Sequence, residues 1–186
     1  GGPGTGKTTT AARIVLLLIR EAMTRKAPCR IALCAPTGKA AAHLHASLRR
    51  AVEDAAKLSE QAKALVGESM PYLPQRSHTI HRLLGSIPGS PLFRHNRENP
   101  LPYDIVIVDE MSMADLALSS KLVDAVRPEA RLVFLGDMDQ LSSVEAGSVM
   151  GDICIPRGAP YDKLFASHVK DLTGADLVAA QVGHSG

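Results

Sequence analysis

Tryptophan is absent from these 186 residues, aromatic side chains make up only 3%, and there are 3 cysteines. Cys29, Cys34 and Cys154 cannot all pair and have no metal-ligand spacing, which argues against a disulfide scaffold or a zinc module. Such cysteines are most simply small buried side chains, and their usage fits a reducing, cytoplasmic compartment. The 7 histidines show no zinc spacing either, so no structural metal is expected. Long apolar runs are also missing: the longest, Ile14 to Ile19, falls far short of the ~20 residues that cross a bilayer. The chain opens Gly-Gly-Pro-Gly, without the basic-then-apolar pattern of a secretory signal.

Charge is nearly balanced at +2, but it is unevenly placed. Residues 1–100 hold 15 Lys/Arg against 6 Asp/Glu, whereas residues 101–186 hold 6 against 13. A basic half suits the phosphates of nucleotides or nucleic acid, and an acidic half can supply metal-binding carboxylates. Both are equally the composition of ordinary solvated surface.

The length suits one domain with the start of a second. Lys7 to about Arg25 reads as a helix, and its run Ile14–Ile19 is apolar all round, which predicts burial on more than one side. Ile31–Ala35, Ile105–Val108 and Leu132–Leu135 are short apolar runs that read as buried parallel strands. Lys39 to about Val66 is Ala-rich and reads as one long helix or two shorter ones. The stretch from Gly67 to Pro102 reads as loop, interrupted by an apolar segment at Thr79–Leu84. Leu116–Val126 and Ser148–Ile153 have helical spacing. Alternating strands and helices predict an α/β fold with a parallel sheet flanked by helices, and ligands on such sheets bind beyond the C-terminal strand ends.

The chemistry-bearing residues fall at those ends. Gly1-Gly2-Pro3-Gly4-Thr5-Gly6-Lys7-Thr8 matches G-x-x-x-x-G-K-[ST], the Walker A pattern of a P-loop. Its glycines let the backbone turn N–H groups onto a phosphate, and the following helix, with Thr9 in its first turn, aims its positive end at the same place. Lys7 is the residue to reach the β- and γ-phosphate oxygens, and the Thr8 hydroxyl the one to ligate Mg²⁺ beside a bound ATP. Ile105–Val108 delivers Asp109 and Glu110, the Walker B arrangement, with Asp109 for Mg²⁺ and Glu110 to activate water. An acidic pair is also welcome at a helix start, so the pairing with Walker A decides in favour of chemistry. After Leu132–Leu135 comes Gly136-Asp137-Met138-Asp139-Gln140, where a neutral Gln140 can hydrogen-bond both γ-phosphate and water. By itself that segment is an ordinary Asp/Gly turn. Thr37, Gly38 and Lys39 form a second phosphate-binding corner, or else a plain βα turn with an exposed lysine. Ser77 to Leu84 places Thr79, His81 and Arg82 beside apolar residues.

Taken in order, these segments, with Val144–Val149 and Gly151–Ile153 after them, resemble the RecD family of superfamily-1 DNA helicases, the alpha subunits of exodeoxyribonuclease V, over residues 1–154. The resemblance implies a P-loop, RecA-like ATPase motor domain over 1–154, with 155–186 starting the next segment. It implies ATP and Mg²⁺ as cofactors and Lys7, Glu110 and Gln140 as catalytic residues. Thr37, Gly38 and Lys39 would touch single-stranded DNA, with Thr79, His81 and Arg82 in a neighbouring DNA or coupling segment. The family moves 5′→3′ and works in a helicase–nuclease heterotrimer whose nuclease centre lies in another subunit; free-standing RecD-like and relaxase-type helicases share the motifs. A P-loop ATPase or nucleotide-gated scaffold that does not act on DNA is the rival reading. The chain opens inside its first motif without Met, so it reads as truncated at both ends, lacking the strand before the P-loop and the second RecA-like domain. Alone, it is expected to hydrolyse ATP feebly and not to unwind DNA.

Overall fold

The computed structural model describes residues 6–136 together with Asp162, Ala166 and Ser167. The chain divides into two units, 1–151 and 152–186. In the second, the Ala166 N–H donates to the Asp162 carbonyl at 2.9 Å.

In the first unit the elements run α1 (Lys7–Arg25), β1 (Ile31–Ala35), α2 (Gly38–Ala55), α3 (Glu60–Ser69), β2 (Ser77–Thr79), α4 (Ile80–Leu84), β3 (Ile105–Val108), α5 (Leu116–Ala125) and β4 (Arg131–Phe134). Short 3₁₀ turns occupy Met70–Tyr72 and Met111–Met113. The four strands form one sheet in the order β2-β1-β3-β4, and every pairing is parallel. This agrees with the α/β expectation.

The strands alternate their side chains between two covered faces. Ile31, Leu33, Ile105 and Ile107 join a core with Val15 and Ile19 of α1, Leu44 and Leu48 of α2, and Val66 of α3. The intervening Ala32, Cys34, Val106 and Val108 are buried as well. Burial on both faces is why β1 and β3 read as unbroken apolar runs rather than as alternating ones.

Three details depart from the sequence reading, and a fourth decides between alternatives it left open. The buried residues of α1 are Ala11, Ala12, Val15, Leu16 and Ile19, a single face, and Leu17 is 59% exposed. The all-round apolar run therefore overstated its burial. Of the two readings of the Ala-rich stretch, the two-helix one holds: the helix breaks at 56–59, and the Ser59 hydroxyl accepts from Ala62 N and starts α3 afresh. The supposed loop contains β2, three half-buried polar-rich residues whose pairing with β1, not their composition, makes them a strand. Finally, β4 lies at an edge of the sheet among the described residues, and its Leu132, Val133 and Phe134 are half-buried rather than buried. The expected helix at Ser148–Ile153 lies outside the described residues.

Candidate functional site

Strand register places the described candidates that follow strands on one edge. Cys34 stands opposite Val108 and His78, Ala35 opposite Thr79, and Val108 opposite Phe134. One residue further, the Asp109 N–H donates to Cys34 O at 3.0 Å and the Met111 N–H to Leu135 O at 3.0 Å. The ends of β1, β2, β3 and β4 thus gather Thr37–Lys39, Thr79–Arg82, Asp109–Glu110 and Gly136. This is the C-terminal edge, where a parallel sheet binds its ligands.

The helix starts on this chain differ in one respect. Thr37 caps α2 by accepting from Ala40 N at 3.2 Å, Thr79 caps α4 by accepting from Arg82 N at 3.2 Å, and Asp115 caps α5 by accepting from Leu118 N at 2.6 Å. Only α1, among the described α-helices, has no side-chain cap and no acid in its first turn. Its N-cap is Gly6, at φ 77°, a left-handed conformation that favours glycine. The first-turn N–H groups of Lys7, Thr8 and Thr9 are left for an external acceptor, with the positive end of the helix dipole behind them. Residues Gly1, Gly2, Pro3, Gly4 and Thr5 of the loop lie outside the described residues, as does Gln140.

The two acids after β3 have an unusual backbone. Glu110 is at φ 55°, one of two non-glycine residues with positive φ among the described residues. Asp109 Oδ1 accepts from the Glu110 N–H at 2.9 Å, which helps hold this tight turn. Met111, wholly buried, anchors it from below. The Glu110 carboxylate makes no hydrogen bond or ion pair among the described residues and is only half-buried. This left-handed conformation, costing about 1 kcal/mol in a non-glycine residue, is kept at the end of β3.

Thr8 and Thr9 line a cavity of about 280 Å³ with Arg13 and, across from them, Ser47, Arg50 and Asp54 of α2. Asp109 and Glu110 do not line it, and no described hydrogen bond or ion pair joins Lys7 or Thr8 to either acid. Lys39, His81 and Arg82 are exposed, and the Lys39 ammonium and Arg82 guanidinium have no partner among the described residues. Nothing lies within 4 Å of a side chain built at Gly38, so internal packing does not require glycine there. The described residues contain no cluster of three metal-binding side chains.

The two described cysteines, Cys29 and Cys34, are inert by environment. Cys34 is fully buried at the centre of the sheet, and desolvation pushes its thiol up to about 12. Burial, then the Asp104 charge, raises Cys29 as well. Because the thiolate is the reactive form, Cys34 should stay unlabelled by a thiol reagent at pH 8 until the protein unfolds. Mass spectrometry of native and urea-unfolded samples checks this; rapid native labelling of Cys34 would contradict it.

A feature that sequence reading missed lies on the opposite, N-terminal edge. Asp104 accepts from the Arg30 N–H at 2.8 Å and from Arg30 Nε at 3.3 Å, and it pairs through its other oxygen with Arg127. Arg127 also donates to Tyr103 O at 2.9 Å. Burial works against the Asp104 charge, but the Arg30 amide and the two guanidiniums outweigh it and hold the carboxyl below its usual range. No motif announces this clamp; its partners meet only through the sheet register.

The family model described as AAA domain matches residues 1–146. The chain is 49% identical over 154 residues to the RecBCD enzyme subunit RecD of Mycobacterium tuberculosis, covering 82% of the chain and 25% of that protein. It is 43% identical over 175 residues to the RecBCD enzyme subunit RecD of Haemophilus influenzae, covering 94% and 26%. It is 39% identical over 164 residues to the ATP-dependent RecD2 DNA helicase of Deinococcus radiodurans, covering 88% and 18%. The chain spans about a quarter of the length of the RecD relatives it matches.

Proposed function

This chain belongs to the AAA domain family, and from that premise we propose that it is the ATP-binding part of a 5′→3′ DNA helicase motor of the RecD kind. In that role it acts as the alpha subunit of a helicase–nuclease complex in double-strand break repair and recombination. The observation that carries the reading is the end of β3: a wholly buried strand that delivers Asp109 and then turns, through a left-handed Glu110, to present a carboxylate with no partner among the described residues. The uncapped start of α1 supplies the complementary half, a set of first-turn N–H groups suited to an anion.

The donor set fits Mg²⁺ with a nucleotide. Asp109 and the Thr8 hydroxyl are hard oxygen ligands, and Mg²⁺ ordinarily takes one or two carboxylates with phosphate oxygens rather than an all-protein cage. When bound, the ion neutralises charge developing on the transferring phosphoryl group. Residues Gly1–Thr9 hold the phosphates, Lys7 meets the β and γ oxygens, Glu110 orients water and accepts its proton, and Gln140 registers loss of the γ-phosphate. Thr37 and Thr79 already cap helices, so they offer a strand their hydroxyl hydrogens. Lys39, His81 and Arg82 offer charge and donors on the same edge. Such contacts grip the backbone of single-stranded DNA without reading bases, and they weaken with salt. Residues 1–154 act as the motor domain and 155–186 as the start of the following segment.

The similarity to the RecD2 helicase supports a second reading, in which the protein works as a free-standing helicase. Either way, the ATPase rate of the full-length protein should rise at least tenfold with single-stranded DNA and vanish in Lys7→Ala. A rate indifferent to DNA would favour a P-loop ATPase acting elsewhere, and a Lys7→Ala protein that still turns over would end the proposal.

A further inference from the structure

Hydroxyls inside helices commonly settle on a backbone carbonyl three or four residues back. Three here do so: Thr24 donates to Arg20 O at 2.9 Å, Ser47 to His43 O at 2.7 Å and Ser119 to Asp115 O at 2.7 Å. Ser112 does not. It is 6% exposed, and its buried Oγ has no hydrogen-bond partner among the described residues. Ser69 Oγ is in the same condition, but it closes α3, whereas Ser112 lies two residues after Glu110.

The backbone accounts for the idle hydroxyl. The carbonyls four and three residues before Ser112 belong to Val108 and Asp109. Val108 O already accepts from the Leu135 N–H at 2.7 Å. Between both carbonyls and Ser112 stands Glu110, whose left-handed φ of 55° breaks the right-handed spiral that carries a serine hydroxyl back onto them. The strained residue and the stranded hydroxyl therefore belong to one turn. Two bonds hold it: the Glu110 N–H to Asp109 Oδ1 at 2.9 Å, and the Met111 N–H to Leu135 O at 3.0 Å. Just beyond, the Met113 N–H donates to Glu110 O at 2.9 Å and the Ala114 N–H to Met111 O at 3.2 Å. The 3₁₀ turn at Met111–Met113 thus begins one residue after Glu110.

We propose that Ser112 is a positioning residue for Glu110, and that its hydroxyl donates to Asp109 O when Glu110 passes from left-handed to right-handed backbone. The inference rests on the ATPase reading and gives the carboxylate that orients water two settings. In the observed turn the hydroxyl is idle and Glu110 bears the cost of the left-handed region. In the other, the right-handed turn extends back by one residue, that cost disappears, and the buried hydroxyl is satisfied. Asp109 controls the exchange, because a carboxylate that serves Mg²⁺ gives up part of its hold on the Glu110 N–H. A hydrogen bond reserved for the loaded site acts on turnover rather than on ATP affinity.

The test uses the full-length protein. In Ser112→Ala the DNA-stimulated kcat should fall about 10-fold, the worth of one ordinary hydrogen bond, with the KM for ATP unchanged. The melting temperature measured without nucleotide should hold or rise, since the substitution removes a buried hydroxyl that has no partner among the described residues. Hydrogen exchange reads the turn independently of turnover. AMP-PNP with Mg²⁺ should slow exchange in the peptide covering residues 109–115 of the wild type, and should not do so in Ser112→Ala. A wild-type kcat in Ser112→Ala, while Glu110→Gln is slow, overturns the positioning role and leaves the ATPase reading standing. A fall in melting temperature together with kcat, with the exchange response of the wild type retained, makes Ser112 a structural residue and also overturns the inference. A wild type that neither hydrolyses ATP nor responds to AMP-PNP overturns both.

Discussion

In the full-length protein, Glu110→Gln lowers ATP turnover by a factor of about 10²–10⁴, the usual worth of a positioned general base. ATP binding should survive, because the amide keeps the shape of the side chain and the Glu110 carboxylate has no bond to lose among the described residues. Gln occupies the left-handed backbone at φ 55° as readily as Glu does, so the fold is unaffected. Bound ATP therefore stays trapped. Single-turnover phosphate release beside fluorescent-nucleotide dissociation measures both effects. A nucleotide-gated scaffold would respond differently, since a protein without turnover has no step for the substitution to slow. Undiminished hydrolysis in Glu110→Gln would remove the residue from the mechanism.

The second large effect concerns stability rather than turnover. Asp104→Asn is expected to cost about 2–3 kcal/mol, less than the loss of a fully buried ion pair because the Asp104 side chain is 20% exposed. The loss leaves Arg127, whose Nε is already buried without a partner among the described residues, short of its carboxylate. For a domain of this size the melting temperature should fall by about 4–10 °C. The pH dependence has a definite sign. The folded Asp104 titrates below its unfolded value, so its contribution is present above the unfolded pKa of about 3.9 and fades as pH falls through the lower folded one. Wild type and variant should differ at pH 7 and converge in strong acid. Calorimetry at both extremes checks this, and equal melting temperatures at pH 7 would show that the clamp is decorative. Its position gives it a role beyond stability: it ties the entry to β1 and the turn after α5 to the start of β3, the strand that ends in Asp109 and Glu110.

Much of this was legible residue by residue. The helix at Lys7–Arg25 and the strands at Ile31–Ala35 and Ile105–Val108 fall where their apolar runs place them, because β-branched runs of that length suit a strand buried on both faces. Composition left one helix or two open over the Ala-rich stretch, because a single serine, Ser59, decides the break. β2 was invisible: Ser77, His78 and Thr79 have no strand periodicity and become one only because β1 offers a free edge. Thr37 and Thr79 stood out as polar residues near phosphates, but not as helix caps. Gln140 and the first five residues of the P-loop lie outside the described residues.

Composition and local order by themselves determined that this chain forms a parallel α/β sheet with a phosphate-loop motif and a strand ending in two acids. Those properties depend on near neighbours: side-chain branching, glycine freedom, and the run of apolar residues. Tertiary structure alone decided that Glu110 turns left-handed, that Asp104 meets arginines 74 and 23 residues away, and that Phe93 sits between His81 and Lys121. Each depends on strand register and on how loops close across the sheet. A one-residue slip would undo any of them without altering a single local preference.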